Sequence, residues 1–260
     1  GWVGQVGPWD CEIRYEESVA AALEGADVVV NCVGVLAEIG KHSFAVLQRD
    51  GAERIARLAS THGVARLIHL SAIGAYVESE SLYSQTKAVG ERAVLAAFPA
   101  AVVLRPSIVF GAEDAFFNRF AAMSQFVPVL PIIGAETKFQ PVYVDDVAQA
   151  AVSGALGQAE PGIYELGGPE VCSFRELMEK MLLVIQRRRL VLNVPFFAAR
   201  FMALGFDVAQ FLTAGLLKNG MITRDQVKNL GSDNVVGQYA NTLAYLGIEL
   251  VAVASVLPGV

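Results

Sequence analysis

The sequence predicts an α/β fold: a doubly wound parallel sheet followed by a smaller, mostly helical C-terminal lobe. Three observations predict it. The strands read as short, near-continuously apolar runs, amphipathic helices alternate with them, and the pattern changes after Pro169. Strand–helix units with short connections imply right-handed crossovers, which make successive strands parallel.

Each element has its own signal. Val19, Ala22 and Leu23 recur at helical spacing before Gly25, a residue type that favours the position after a helix, and 26–31 then reads as a buried strand. Phe44, Leu47, Gly51, Ile55, Leu58 and Ala59 line one face of a second helix between a Ser43 cap and a Gly63 stop, ahead of a strand over 66–70. A third helix over 82–97 leads to a strand at 101–105. A fourth, from Asp145 to about Gly157, leads to 163–166. In the tail, Ser173-Phe174-Arg175-Glu176 is a capping box, and Thr223-Arg224-Asp225-Gln226 resembles another.

Composition excludes several classes. The chain has 260 residues, 54% of them hydrophobic, enough to bury a core without disulfide staples, and its 18% charged share is below the usual quarter. The longest uncharged stretch, 120–135, is broken by Pro128 and Pro131 and is shorter than the roughly 20 residues a spanning helix needs. A net charge of −6, with no basic stripe beyond Arg187, Arg188 and Arg189, leaves nucleic acid no electrostatic footprint. Cys11, Cys32 and Cys172 are scattered without a C-x-x-C pair, which predicts reduced thiols in an intracellular compartment. His42, His62 and His69 lack partners at ligand spacing, so no metal is predicted.

Ligands of such sheets bind beyond the strand carboxyl ends, which directs attention to Asn31, Ser71, Arg105 and Pro106. Tyr83 and Lys87 stand one helical turn apart, where the cation is expected to lower the phenol's pKa from about 10 and make it a proton donor for a carbonyl. Lys87 could also hydrogen-bond a ribose, and Ser71 at a strand end could hold the reacting oxygen. A Y-x-x-x-K pair alone is a common surface arrangement; the strand-end serine upstream gives it chemical meaning. Gly1, Gly4 and Gly7 spell G-x-x-G-x-x-G, but nothing precedes Gly1 and Pro8-Trp9 follows where a helix should start, so they read as a glycine-rich loop. With no initiator Met and no signal peptide pattern, the expectation is that an N-terminal portion, including the first βαβ unit and its phosphate loop, lies upstream.

Joined to further motifs, these residues resemble the extended and atypical short-chain dehydrogenase/reductases, in the branch of the NAD(P)H-binding accessory subunit of respiratory complex I. The likeness rests on Asn31-Cys32-Val33-Gly34, Leu70-Ser71-Ala72-Ile73-Gly74-Ala75, Tyr83 through Lys87 with Gly90-Glu91, and Arg105-Pro106-Ser107-Ile108. Phe116-Phe117-Asn118-Arg119-Phe120, Gln140-Pro141-Val142-Tyr143-Val144-Asp145-Asp146 and Tyr164-Glu165-Leu166-Gly167-Gly168-Pro169 point to the branch. The resemblance implies that residues 1–168 are an incomplete NAD(P)-binding Rossmann domain, with 112–140 contributing to the small lobe, and 169–260 the smaller lobe. It implies a cofactor, NADP(H) or NAD(H), lined by Asn31, Cys32, Val33, Gly34, Leu70, Ser71, Tyr83, Lys87, Pro106, Ser107 and Ile108, with Glu12 near an adenine contact. It further implies a structural or assembly role among complex I subunits, peripheral on the cytoplasmic face of a bacterial inner membrane or on the matrix face of a mitochondrial one. The residues alone leave open an active NAD(P)-dependent reductase, dehydrogenase or sugar-nucleotide epimerase using Ser71, Tyr83 and Lys87.

The segment 190–217, three uncharged and largely apolar runs separated by Arg200 and Asp207, reads either as an internal helix pair or as a face docked on a membrane-associated partner or at the lipid interface, with Arg187, Arg188 and Arg189 near acidic headgroups or in solvent.

Overall fold

The alternation of apolar strand and amphipathic helix closes into one parallel sheet in the computed structural model, which describes residues 7–38, 40–197 and 224–253. Helix α1 (Glu16–Leu23) leads into β1 (Val28–Asn31), which pairs with β2 (Arg66–Leu70), which pairs with β3 (Val102–Pro106). Strand β4 (Val129–Ile133) leaves the sheet, and β5 (Gly162–Leu166) rejoins it beside β3, so the parallel order is β1-β2-β3-β5. The α/β class and its parallel sheet are as the sequence predicts.

Helices cover both faces. Helix α2 (Ala52–Thr61) and α3 (Leu82–Ala97) bury Ala56, Ala59 and Val94 against Leu67 and Ala101 on one side. Helix α5 (Val144–Ala155) buries Val147 and Ala150 against Ile68, Val102, Leu104 and Tyr164 on the other. Neighbouring residues of β2 thus serve opposite cores, as the two-residue period of a strand requires. The exception is β1. It is shorter than the expected 26–31 and leaves Val30 45% exposed, because among the described residues it is the edge of the sheet.

A local departure from the predicted helices has a packing cause. The second helix starts at Ser43, whose Oγ accepts from Val46 N at 3.2 Å, but it runs through a π-helical stretch, Ala45–Gly51, before α2. The wide turn brings the Gln48 carbonyl against Gly90 of α3, so closely that a Cβ at Gly90 would lie 2.0 Å from that oxygen.

The second core has a composition the alternation did not reveal. Helix α4 (Ala115–Phe126), capped by Asp114 Oδ1 accepting from Phe117 N at 2.6 Å, packs with α6 (Phe174–Val184). Phe116, Phe117, Phe120, Phe139 and Phe174 form a cluster of tilted and edge-on ring contacts. The capping box at α6 is present, with Ser173 Oγ and Glu176 bonding reciprocally.

Two expectations for the tail are corrected. Residues 190–194 form strand β6 (Leu190–Val194), parallel to β4, rather than the start of a helix pair. Arg187 Nη1 donates to Ala121 O and Ser124 Oγ at 2.8 and 2.9 Å, and Arg189 Nε donates to Ser124 O at 2.8 Å. Two guanidiniums of the basic triplet thus bind the C-terminal half of α4, which complements its dipole, and only Arg188 stays exposed. The remainder of the apolar run, from 198 onward, lies outside the described residues, as do Gly1, Gly4 and Thr223. Gly7 sits in exposed irregular chain, and α7 (Arg224–Asn229) follows Thr223.

Because Gly90 touches backbone rather than a flexible side chain, Gly90→Ala is expected to destabilise the fold by about 1–3 kcal/mol, a loss of overpacking type. Urea denaturation of the variant against the wild type measures it.

Candidate functional site

The site is built where the parallel strands end. Ser71 N donates to Leu104 O at 2.7 Å and Ile73 N to Pro106 O at 3.0 Å, so the β2–β3 ladder runs past both strands; Ser107 N continues it to Leu166 O at 2.9 Å. Asn31, Ser71, Pro106 and Ser107 therefore emerge along one rim.

Helix α3 carries the titratable groups. Lys87 is buried, and its Nζ donates to Leu70 O at 3.0 Å and lies 3.3 Å from the position a Cβ would take at Gly34. Lys87 thus lies against Leu70 at the end of β2 and against Gly34 in the segment that runs from Asn31 through Cys32 and Val33. Burial lowers its pKa to about 8, opposed by the charge of Glu91 on the next turn. Tyr83, half-buried and edge-on to Phe44 at 5.8 Å, has its pKa raised to about 12 by desolvation. The expected lowering by Lys87 does not occur: removing the phenolate from water outweighs a cation that is itself desolvated.

Ser71 is buried, and its Oγ has no hydrogen-bond partner, so it does not bond Tyr83. Ser107 is committed elsewhere: its Oγ lies 2.6 Å from Asn234 Oδ1 and accepts from Gln140 N at 3.3 Å. Ile108 packs against the phenylalanine-rich core, and Pro106 is buried in β3. Cys32 is exposed, with its thiol pKa raised by desolvation. Glu12 is paired with Arg14 Nη2 at 2.6 Å, which holds its carboxyl down at about 2.

Several residues that shape the rim were missed. Gln48, 1% exposed, donates through Nε2 to Val35 O at 2.7 Å and accepts from Thr86 Oγ1 at 3.0 Å, tying the chain after β1 to the helix between Tyr83 and Lys87. Arg105, which the strand-end rule does mark, has partners the sequence did not show: Glu91 at 2.6 Å and Glu165 at 3.3 Å clamp it, joining α3, β3 and β5. Asp225, on α7, accepts from Ser81 Oγ and Leu82 N, both at 2.7 Å, and from Tyr83 N at 3.1 Å. It thereby caps the helix that carries Tyr83, a role usually filled by a sequence neighbour. Asn234 bridges the rim, its Nδ2 donating to Ile73 O at 3.1 Å. Such long-range partners leave no spacing signal; a Glu at 91 after a buried Lys was the one legible hint.

Residues 5–193 match the family described as the RmlD substrate binding domain. The chain belongs to this family. Among its relatives, the "NADH dehydrogenase [ubiquinone] 1 alpha subcomplex subunit 9, mitochondrial" of Arabidopsis thaliana is 36% identical over 96% of the chain. The chain spans only 63% of the length of that relative. Two solved structures share the fold of this RmlD-family chain. One is a nucleoside-diphosphate-sugar epimerase from Staphylococcus aureus, with a TM-score of 0.72 and 15% identity, covering 99% of this chain and 85% of its own. The other is the dTDP-4-dehydrorhamnose reductase of Bacillus anthracis in complex with NADP, with a TM-score of 0.60 and 18% identity, covering 74% of this chain and 76% of its own.

Asp225→Ala removes a charged cap from the RmlD-family chain's α3 and is expected to cost about 0.5–2 kcal/mol. Asp225→Asn, which keeps the acceptor oxygen, should cost less. The two chemical-denaturation midpoints test this order.

Proposed function

We propose that the chain is the groove-bearing part of an NAD(P)H-binding accessory subunit of respiratory complex I, with a structural or assembly role and NADP(H) or NAD(H) as a held ligand. The observation that carries the nucleotide half is the rim itself. A buried Ser71 hydroxyl without a partner stands next in sequence to Leu70, whose carbonyl receives the Lys87 ammonium beside Gly34. A buried, unmatched hydroxyl beside a cation fits a ligand rich in hydroxyl and phosphate oxygens. The complex I half is supported by the 36% identity to the Arabidopsis thaliana NADH dehydrogenase subunit.

In this reading Lys87 hydrogen-bonds the nicotinamide ribose, and Asn31 to Gly34 line the adjoining edge. Ser71 and Tyr83 flank the nicotinamide, with Pro106, Ser107 and Ile108 beyond them. The nicotinamide ring, when bound, supplies a hydride. Tyr83 holds its proton at the phenol oxygen throughout the neutral range, because desolvation raises its pKa. Partners are other complex I subunits, and the chain sits at a membrane face, cytoplasmic in a bacterium or matrix-side in a mitochondrion; no helix of the described residues is long and apolar enough to cross a bilayer.

A second reading, an active reductase, dehydrogenase or sugar-nucleotide epimerase, is supported by Ser71 at the end of β2 together with Tyr83 and Lys87 one turn apart on α3. It predicts that Tyr83→Phe abolishes an NAD(P)H-dependent rate, whereas the held-ligand reading predicts no such rate and co-migration of the full chain with complex I on native gels. Failure to co-migrate overturns the accessory-subunit proposal.

Lys87 supplies a pH signature. Below about pH 7 the ammonium is intact and NADPH affinity is expected to be flat; above its lowered pKa of about 8 the charge is lost and the Kd rises. Lys87→Met should bind about tenfold more weakly at pH 7 and lose that pH dependence. Fluorescence titration with NADPH across the range measures both.

A further inference from the structure

The buried histidine on β2 takes no part in the proton chemistry above, yet it stands directly beneath the cofactor-lining turn. Asn31 Oδ1 accepts from Val33 N at 3.1 Å, which fixes the amide orientation and turns Nδ2 toward His69, whose Nδ1 lies 3.0 Å away. Nδ2 can only donate, so Nδ1 is the acceptor and the neutral ring carries its proton on Nε2. That Nε2 is buried without a partner, in a residue 1% exposed. Leu67, two residues earlier on the same face, shows that an aliphatic side chain packs there. An imidazole in that place leaves a donor unmatched, and its only return is the bond to Asn31.

We propose that His69 is a positioning residue of the nucleotide groove, acting through the Asn31 amide to hold the turn of Asn31, Cys32, Val33 and Gly34 against Lys87. The proposal rests on the nucleotide-binding reading. The chain of contacts is continuous: His69 Nδ1 to Asn31 Nδ2, Asn31 Oδ1 to Val33 N, and Gly34 against Lys87 Nζ. Gly34 can lie there because it has no side chain; a misplaced turn would move the surface on which the dinucleotide lies and leave the ammonium unsupported.

NADPH titration of the purified chain tests it. His69→Leu should weaken binding about tenfold, while His69→Gln, whose amide oxygen can accept from Asn31, should stay within about threefold of wild type. The His69→Leu/Asn31→Ala double variant should bind no worse than Asn31→Ala alone. Additive losses, or a glutamine no better than leucine, overturn the proposal. Two ligand-free measurements separate it from the nucleotide reading. The nitrogen spectrum of His69 should show an unprotonated Nδ1 that does not titrate between about pH 5 and 8. Amide exchange at Val33 should be slow in the wild type and in His69→Gln and fast in His69→Leu. A wild type that binds neither NADPH nor NADH sinks the nucleotide reading alone; unchanged Val33 protection in His69→Leu, or a protonated Nδ1, sinks the role of His69.

Discussion

The close seating of α3 on the sheet is the constraint on which the rest depends. Only a glycine at position 90 lets the Gln48 carbonyl of the π-helical stretch come so near, and one turn earlier on the same helix Lys87 reaches the Leu70 carbonyl at 3.0 Å. One turn further, Glu91 meets Arg105, and Arg105 meets Glu165, so the helix is held by charge to two strands. Buried charges are costly unless each is paired and hydrogen-bonded. Here Glu91 serves twice, as the partner of Arg105 and as the charge that opposes deprotonation of Lys87. Moving the helix outward would part Lys87 from the Leu70 carbonyl and Glu91 from Arg105, leaving Arg105 with Glu165 alone.

The same helix couples the sheet to the C-terminal part of the chain. Asp225 binds its first turn, Asn229 Oδ1 accepts from Ser84 Oγ at 3.0 Å, and Lys228 Nζ donates to Glu80 O at 3.0 Å. Farther on, Gly237 N donates to Glu165 Oε2 at 2.8 Å, so the tail also touches the ion network that anchors α3. Asn234 sits between Ser107 and Ile73, at the ends of two strands. The rim is thus assembled from both parts of the chain, and the tail reaches Tyr83 through the Asp225 carboxylate, which accepts from the Tyr83 main-chain N–H.

What the sequence revealed and what it hid divide along the range of the interactions. Helix α3 could be read to its ends because Ser81 is a local cap and its buried positions repeat on a local period; β2 could be read because Leu67, Ile68 and Leu70 make a short apolar run with clear bounds. The strand-end residues followed from the parallel topology, a rule about connections. The π-helical stretch was hidden because its cause, the meeting of Gln48 with Gly90, joins residues far apart in the chain. Asp225, Asn234 and the Asn31–His69 bond were hidden for the same reason. The Tyr83 pKa was misjudged in sign because spacing reports the nearness of Lys87 but not the loss of water. The arginine triplet was misjudged because a charge run looks the same whether it faces solvent or caps a helix such as α4.

That sign bears on how a reductase-like constellation can serve as a holding site. A phenol whose pKa stands near 12 stays protonated at neutral pH, and to donate to a substrate oxyanion it needs that oxyanion held in line. Ser71 is the side chain expected to hold it, and its hydroxyl makes no bond to Tyr83. Lys87 is occupied by the Leu70 carbonyl on one side and lies against Gly34 on the other, so its ammonium is fixed in place rather than free to move toward the phenol. Residue types that chemistry requires can therefore be kept for affinity alone, since the donors that stabilise a transition state also bind hydroxyls and phosphates. What separates the two uses is the mutual orientation of Ser71 and Tyr83, a property of the packed helix and strand that the Y-x-x-x-K spacing does not encode.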